Sequence, residues 1–175
     1  RVHALIAPDD NLGPDAAAVT TALLARRYRI VHIAGHGEPE LPRPGKPPLL
    51  RGVVLSDDTF LGPREVQAMR VVPELVFLNC CHLAADPDKL LKGGYDRAQF
   101  AAGVAKQLIR IGVRCVVAAG WAVEDDAANQ FATAFYKALL SGQRFMDAVQ
   151  AARAAAYAAS PGGNTWAAYQ CYGDP

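Results

Sequence analysis

Three short apolar runs, at 29–34 (Arg-Ile-Val-His-Ile-Ala), 75–78 (Leu-Val-Phe-Leu) and 113–119 (Val-Arg-Cys-Val-Val-Ala-Ala), alternate along the chain with segments of helical spacing at 14–27, 98–111 and 125–140. Each run is too short for a helix and carries apolar residues at consecutive positions, the pattern of a strand covered on both faces. Strands of this kind that alternate with helices pair in parallel, because each crossover carries a helix back over one face of the sheet. The expected fold is therefore α/β, a mostly parallel central sheet flanked by helices. Ligands and chemistry in such sheets gather beyond the carboxyl ends of the strands.

The intervening segments fit that scheme. The alanine-rich stretch 14–27 reads as a helix, with Pro14 in a first-turn position and Arg26 and Arg27 near the negative end of its dipole. Helices are also expected over 98–111, over 125–140, where Phe131, Phe135 and Leu139 recur every four positions, and over 144–159. Residues 2–7 and 166–172 read as further strands, and 52–55 with 59–61 as a small hairpin around Ser56-Asp57-Asp58. Pro63 opens a short helix towards Arg70. Pro39, Pro42, Pro44, Pro47 and Pro48 make 38–51 an exposed loop, and Asp86, Pro87, Asp88, Gly93 and Gly94 make 83–96 a flexible one.

Composition narrows the functional classes. A chain of 175 residues with 51% hydrophobic residues has the size and apolar content of one domain spanning 1–175. Eighteen basic against seventeen acidic residues leave no field to attract nucleic acid or an anionic membrane, so neither is expected as a direct partner. No run reaches the roughly 18 apolar residues of a membrane helix. The start, Arg1 leading straight into Val2, Ala4, Leu5 and Ile6, reads as that of a piece cut from a longer chain. Cys80, Cys81, Cys115 and Cys171 match no secreted disulfide framework and no CxxC pattern, which favours a reducing, cytoplasmic setting.

Two groups of reactive residues fall at expected strand ends. His36 stands between Gly35 and Gly37 just after the run 29–34, where the backbone can approach a substrate closely; it is either a general base or a solvated turn histidine. Asn79-Cys80-Cys81-His82 follows the run 75–78. Cys81 is either a small buried hydrophobe or, beside a loop histidine from the neighbouring strand, a thiol able to ionise and attack an acyl carbon. His32 reads as a partly buried strand histidine rather than the partner of His36 in a helical metal pair. Adjacent cysteines chelate a single ion awkwardly, and no GxGxxG or GxxxxGK[ST] sequence follows any strand, so neither metal nor cofactor is expected.

Four blocks in order carry a family resemblance: Ile30-Val31-His32-Ile33-Ala34-Gly35-His36-Gly37, Leu75-Val76-Phe77-Leu78-Asn79-Cys80-Cys81, Val116-Val117-Ala118-Ala119-Gly120-Trp121-Ala122-Val123-Glu124-Asp125-Asp126-Ala127, and Trp166-Ala167-Ala168-Tyr169-Gln170-Cys171-Tyr172-Gly173-Asp174-Pro175. Together they resemble a CHAT domain, of the caspase-like, separase-related cysteine peptidases. The order agrees with caspases, where the histidine lies about 50 residues before the cysteine. The resemblance implies a caspase-like three-layer sandwich and a cysteine endopeptidase without a cofactor. In it His36 is general base, Cys81 nucleophile, and the backbone N–H groups of Gly37 and Cys81 donors to the oxyanion.

The resemblance also implies a protein or peptide substrate and an upstream regulatory region such as tetratricopeptide repeats. Arginine-specific relatives carry an acidic side chain in the segment corresponding to 121–126, which makes Trp121, Asp125 and Asp126 candidates for substrate binding; the two acids also suit a helix start. Asn79, Cys80 and Leu83 stand where the family commonly has Ser, Ala and a small or hydroxylated residue. A second reading follows from them, a domain that kept the fold without turnover and serves as an interaction module.

Overall fold

The computed structural model describes residues 2–5, 16–36, 41–49, 53–54, 60–61, 68–69, 71–81 and 97–173. Helix α1 (Ala16–Ala25) leads into strand β1 (Ile30–His36). The short strands β2 (Leu41–Arg43), β3 (Lys46–Leu49), β4 (Val53–Val54) and β5 (Phe60–Leu61) precede β6 (Leu75–Cys81). Helix α2 (Arg97–Arg110), β7 (Cys115–Ala119), α3 (Asp125–Leu140), α4 (Phe145–Ala159), the single turn α5 (Thr165–Ala168) and β8 (Tyr169–Gly173) complete the order.

The central sheet has strand order β1-β6-β7-β8. The first three strands run parallel and β8 runs antiparallel to β7. Residues of α1 and α2 pack with Val31, Val76, Leu78, Cys80, Val116 and Ala118 on one face. Residues of α3 and α4 pack with Leu75, Phe77, Val117, Ala119 and Tyr169 on the other. The result is the expected three-layer, caspase-like α/β sandwich with a mostly parallel sheet. Phe77, Phe131 and Phe135 are fully enclosed, and each such ring contributes about 2–3 kcal/mol relative to exposure.

Several local expectations are corrected. Residues 2–5 join no strand, and residues 6 and 7 lie outside those described. The proline-rich stretch is not simply a loop: β2 and β3 form an antiparallel pair around a turn containing Gly45. A two-stranded ribbon has outer backbone edges on which a missing proline N–H costs no ladder bond. The hairpin predicted around Ser56-Asp57-Asp58 is present as β4 paired with β5. The segment 166–172 is not strand throughout, because its first residues close the turn α5 before β8 begins at Tyr169. The helix expected from Pro63 to Arg70 falls mostly outside the described residues, with a turn and bend at 68–69.

Helix α3 stops where its sequence supplies a stop. The Ser141 N–H reaches the carbonyl of Lys137 and the Gly142 N–H that of Leu139, and Gly142 takes a φ of +90°, a conformation open to glycine. The chain then reverses into α4, which packs closely along α3. At the amino ends of β1 and β6 the exposed Arg29 guanidinium donates two hydrogen bonds to the Glu74 carboxylate, at 2.8 and 2.9 Å. Among the described residues no helix is long and apolar enough to cross a membrane.

Candidate active site

Strand register places the two candidate catalytic positions side by side. β1 and β6 pair in parallel from Ile30 with Leu75 through to His36 with Cys81. Both strands therefore run further than their apolar cores predict. His36 and Cys81 are the last residues of their strands rather than the first residues after them. Directly paired residues of neighbouring strands share a face of the sheet, and strands lie about 4.8 Å apart. A histidine and a cysteine 45 positions apart in sequence thus become immediate neighbours at the rim.

Residues of β6 alternate between the two faces of the sheet. Val76, Leu78 and Cys80 belong to the α1/α2 face, and Cys80 is buried there. Leu75 and Phe77 belong to the α3/α4 face, which by period-2 alternation is also the face of Asn79. Burial also pushes the Cys171 thiol up to about 11, with Arg153 opposing the shift, so Cys171 stays protonated and unreactive near neutrality.

The α3/α4 face becomes more polar row by row towards the carboxyl ends. In the row of His32, Phe77, Val117 and Cys171, the His32 ring stacks on Phe77 at 4.6 Å and its Nδ1 lies 3.0 Å from the Tyr136 hydroxyl. His32 is exposed as a residue, not partly buried as expected, yet the rings of Phe77 and Tyr136 strip water from its imidazole and hold it below the ordinary histidine range, while burial pushes the Tyr136 phenol up. The next row contains Ala34 beside Asn79 and Ala119 beside Tyr169. Ala119 is small enough for the Tyr169 side chain to cross β7, and the Tyr169 hydroxyl donates to Asn79 Oδ1 at 2.9 Å. His36 and Cys81 form the row beyond.

The loop from β7 to α3 leaves the sheet at the same end. Trp121 follows the last residue of β7, Ala119, by two positions. It is half-buried, and its indole Nε1 is enclosed without a hydrogen-bond partner among the described residues. Asp125 and Asp126 are exposed in the first turn of α3. They do not occupy the N-cap: Glu124 does, with extended backbone and no side-chain cap. The two acids instead set negative charge at the positive end of the helix dipole.

The α5–β8 corner braces this loop. The Glu124 N–H donates to Thr165 Oγ1 at 2.9 Å, and the Gly120 N–H donates to the Ala168 carbonyl at 2.8 Å. A Cβ at Gly120 would lie 3.2 Å from that carbonyl oxygen, so the close approach favours glycine. Thr165 and Tyr169 were not singled out by sequence reasoning. The only available sign was polar-tipped residues inside an otherwise apolar block. Gly37 and the loop 83–96 lie outside the described residues, as does His82. Among the described residues no group of three His, Cys, Asp or Glu converges as a metal site would require.

Comparison with curated proteins yields no match. The family model described as the CHAT domain does match, over residues 8–174, a span that includes both paired strand ends, the β7–α3 loop and the α5–β8 corner. A parallel sheet that brings a histidine and a cysteine together at one rim is thus the framework of a chain that belongs to the CHAT domain family, a caspase-like, peptidase-related family.

Proposed function

We propose that this domain is a cysteine endopeptidase with His36 as general base and Cys81 as nucleophile. The reading is supported above all by the backbone pairing of those two positions at adjacent carboxyl strand ends, in a member of a peptidase-related family. His36 takes the proton from the Cys81 thiol, and the thiolate attacks the carbonyl carbon of the substrate. Backbone N–H groups of Gly37 and Cys81 stabilise the oxyanion as it forms. His36 then passes the proton to the departing amine. Water, deprotonated by the same imidazole, hydrolyses the thioester to release the carboxylic acid and regenerate the thiol.

Substrate selection is assigned to the segment 121–126. Trp121 contributes apolar surface and an indole donor, and the carboxylates of Asp125 and Asp126, exposed at the start of α3, favour a basic residue before the cut. The partners proposed are a protein substrate and a regulatory region such as tetratricopeptide repeats, with the reaction taking place in the reducing cytoplasm where a thiol persists. Asn79, Cys80 and Leu83, which depart from the usual family residues, support a second reading as an interaction module without turnover.

Intact mass after exposure to peptidyl chloromethyl ketones separates the two. Stoichiometric labelling is expected, retained in Cys80→Ala, lost in Cys81→Ala and in His36→Ala slowed at least a hundredfold, about the effect of losing a general base. Peptides ending in arginine should label fastest. Equal rates with acidic or apolar ends would remove the basic preference, and absence of labelling would leave the interaction module.

A further inference from the structure

We propose that Tyr169 is a positioning residue for the nucleophile: acting through Asn79, it fixes the end of β6 that carries Cys81. The inference rests on the peptidase reading above for its functional meaning. Pairing of β6 with β7 ends at Leu78 and Ala118, although the next residues of both strands are described, whereas pairing with β1 continues to Cys81. Next to this end of the pairing the Tyr169 hydroxyl, reaching across β7, donates to Asn79 Oδ1 at 2.9 Å and ties the end of β6 to β8.

The donor is itself held firmly. Tyr169 is 0% exposed and its ring stacks on Phe131 at 4.0 Å. It also packs against Phe77 at 5.6 Å, and its carbonyl accepts from Arg153 at 3.2 Å. Giving up a hydrogen bond made by a buried phenol is costly, so the geometry favours keeping it closed. Asn79 lies two residues before Cys81 in β6, and a displacement there passes along the strand to the backbone that carries the thiol. Small misplacements of reacting atoms are costly to rate, which is why a hydrogen bond remote from the substrate can matter to chemistry.

The test compares the full 175-residue chain with Tyr169→Phe, Asn79→Ala and the double variant. Inactivation by an arginyl chloromethyl ketone gives kinact and KI separately. Alkylation of Cys81 by iodoacetamide across pH, read by peptide mapping, reports the thiol without requiring peptidase activity. Tyr169→Phe keeps the buried ring and should lower kinact about tenfold, with KI changed by less than about twofold. It should also raise the pH midpoint of Cys81 alkylation towards that of an ordinary thiol. The double variant should be no slower than the slower single variant, because both remove one interaction.

A Tyr169→Phe protein with unchanged kinact and unchanged alkylation midpoint would overturn the proposal, as would single effects that multiply in the double variant. If iodoacetamide modifies wild-type Cys81 but no peptidyl reagent does, the peptidase reading fails and the alkylation midpoint alone decides the role of Tyr169. A wild-type Cys81 inert to iodoacetamide at every pH would overturn both.

Discussion

Under α1 and α2 the sheet presents Val31, Val76, Leu78, Cys80, Val116 and Ala118. Under α3 and α4 it presents His32, Phe77, Asn79 and Tyr169, with His32 Nδ1 paired to Tyr136 of the helix above and the Tyr169 hydroxyl to Asn79 Oδ1. The first face is nearly uniform along the strands, so nothing in it distinguishes one end of the sheet from the other. The second is graded, from Ile30 and Leu75 at the amino ends to Asn79 two residues before the rim. Non-directional apolar packing can hold a sheet together, but only directional contacts can hold a strand end in place. The gradient therefore runs towards the carboxyl ends at which His36 and Cys81 pair.

The sharpest way to break this comparison is by truncation. Phe77→Ala removes a ring that touches His32, Phe131, Phe135, Tyr136 and Tyr169, and should cost about 4 kcal/mol of unfolding free energy. Val116→Ala, its counterpart on the other face, should cost about 2 kcal/mol. Urea titrations showing equal losses would mean that the aromatic face is not the more tightly organised one.

A smaller effect is expected at Cys80. Cys80→Ser places a hydroxyl in the aliphatic cluster and should lower stability by about 1–2 kcal/mol, while Cys81 remains open to alkylation. A Cys80→Ser protein that unfolds normally yet loses alkylation at this pair of cysteines would make Cys80 the reactive thiol.

The smallest effect is that of His32. Its imidazole sits below the ordinary range when folded, because contact with Phe77 and Tyr136 disfavours the charged ring. Below the unfolded-state pKa of about 6.5 the unfolded chain binds the proton more readily, so stability is full above that pH and falls as pH drops towards the folded value. Wild-type urea midpoints should therefore decline more between about pH 7 and 5 than those of His32→Leu. Parallel declines would show that this histidine contributes nothing to acid sensitivity.

The parts of the fold that sequence revealed are those governed by local pattern. The cores of β1, β6 and β7 and the span of α3 follow from runs of Val, Ile and Leu and from the spacing of Phe131 and Phe135. Boundaries went astray where tertiary pairing overrode local preference. Asn79-Cys80-Cys81 has little strand propensity of its own, and it is the ladder with β1 that extends β6 through it. Tyr169-Gln170-Cys171-Tyr172 does form a strand, but the preceding Trp166-Ala167-Ala168 is helical, a change that alternation cannot register in so short a run. Contacts such as His32 with Tyr136 and Tyr169 with Asn79 join residues 104 and 90 positions apart, and no periodicity in a single sequence encodes them. His36 and Cys81 were legible as residue types at strand ends; their adjacency came from register.

The reversal of β8 has a consequence for how such a rim can be furnished. Parallel strands deliver only their final residues to it, each followed by a connecting loop. Because β8 travels the opposite way, it delivers its opening residue there, preceded by a helical turn rather than succeeded by an excursion. A sheet obtains a stationary component at one edge by turning a single neighbour around.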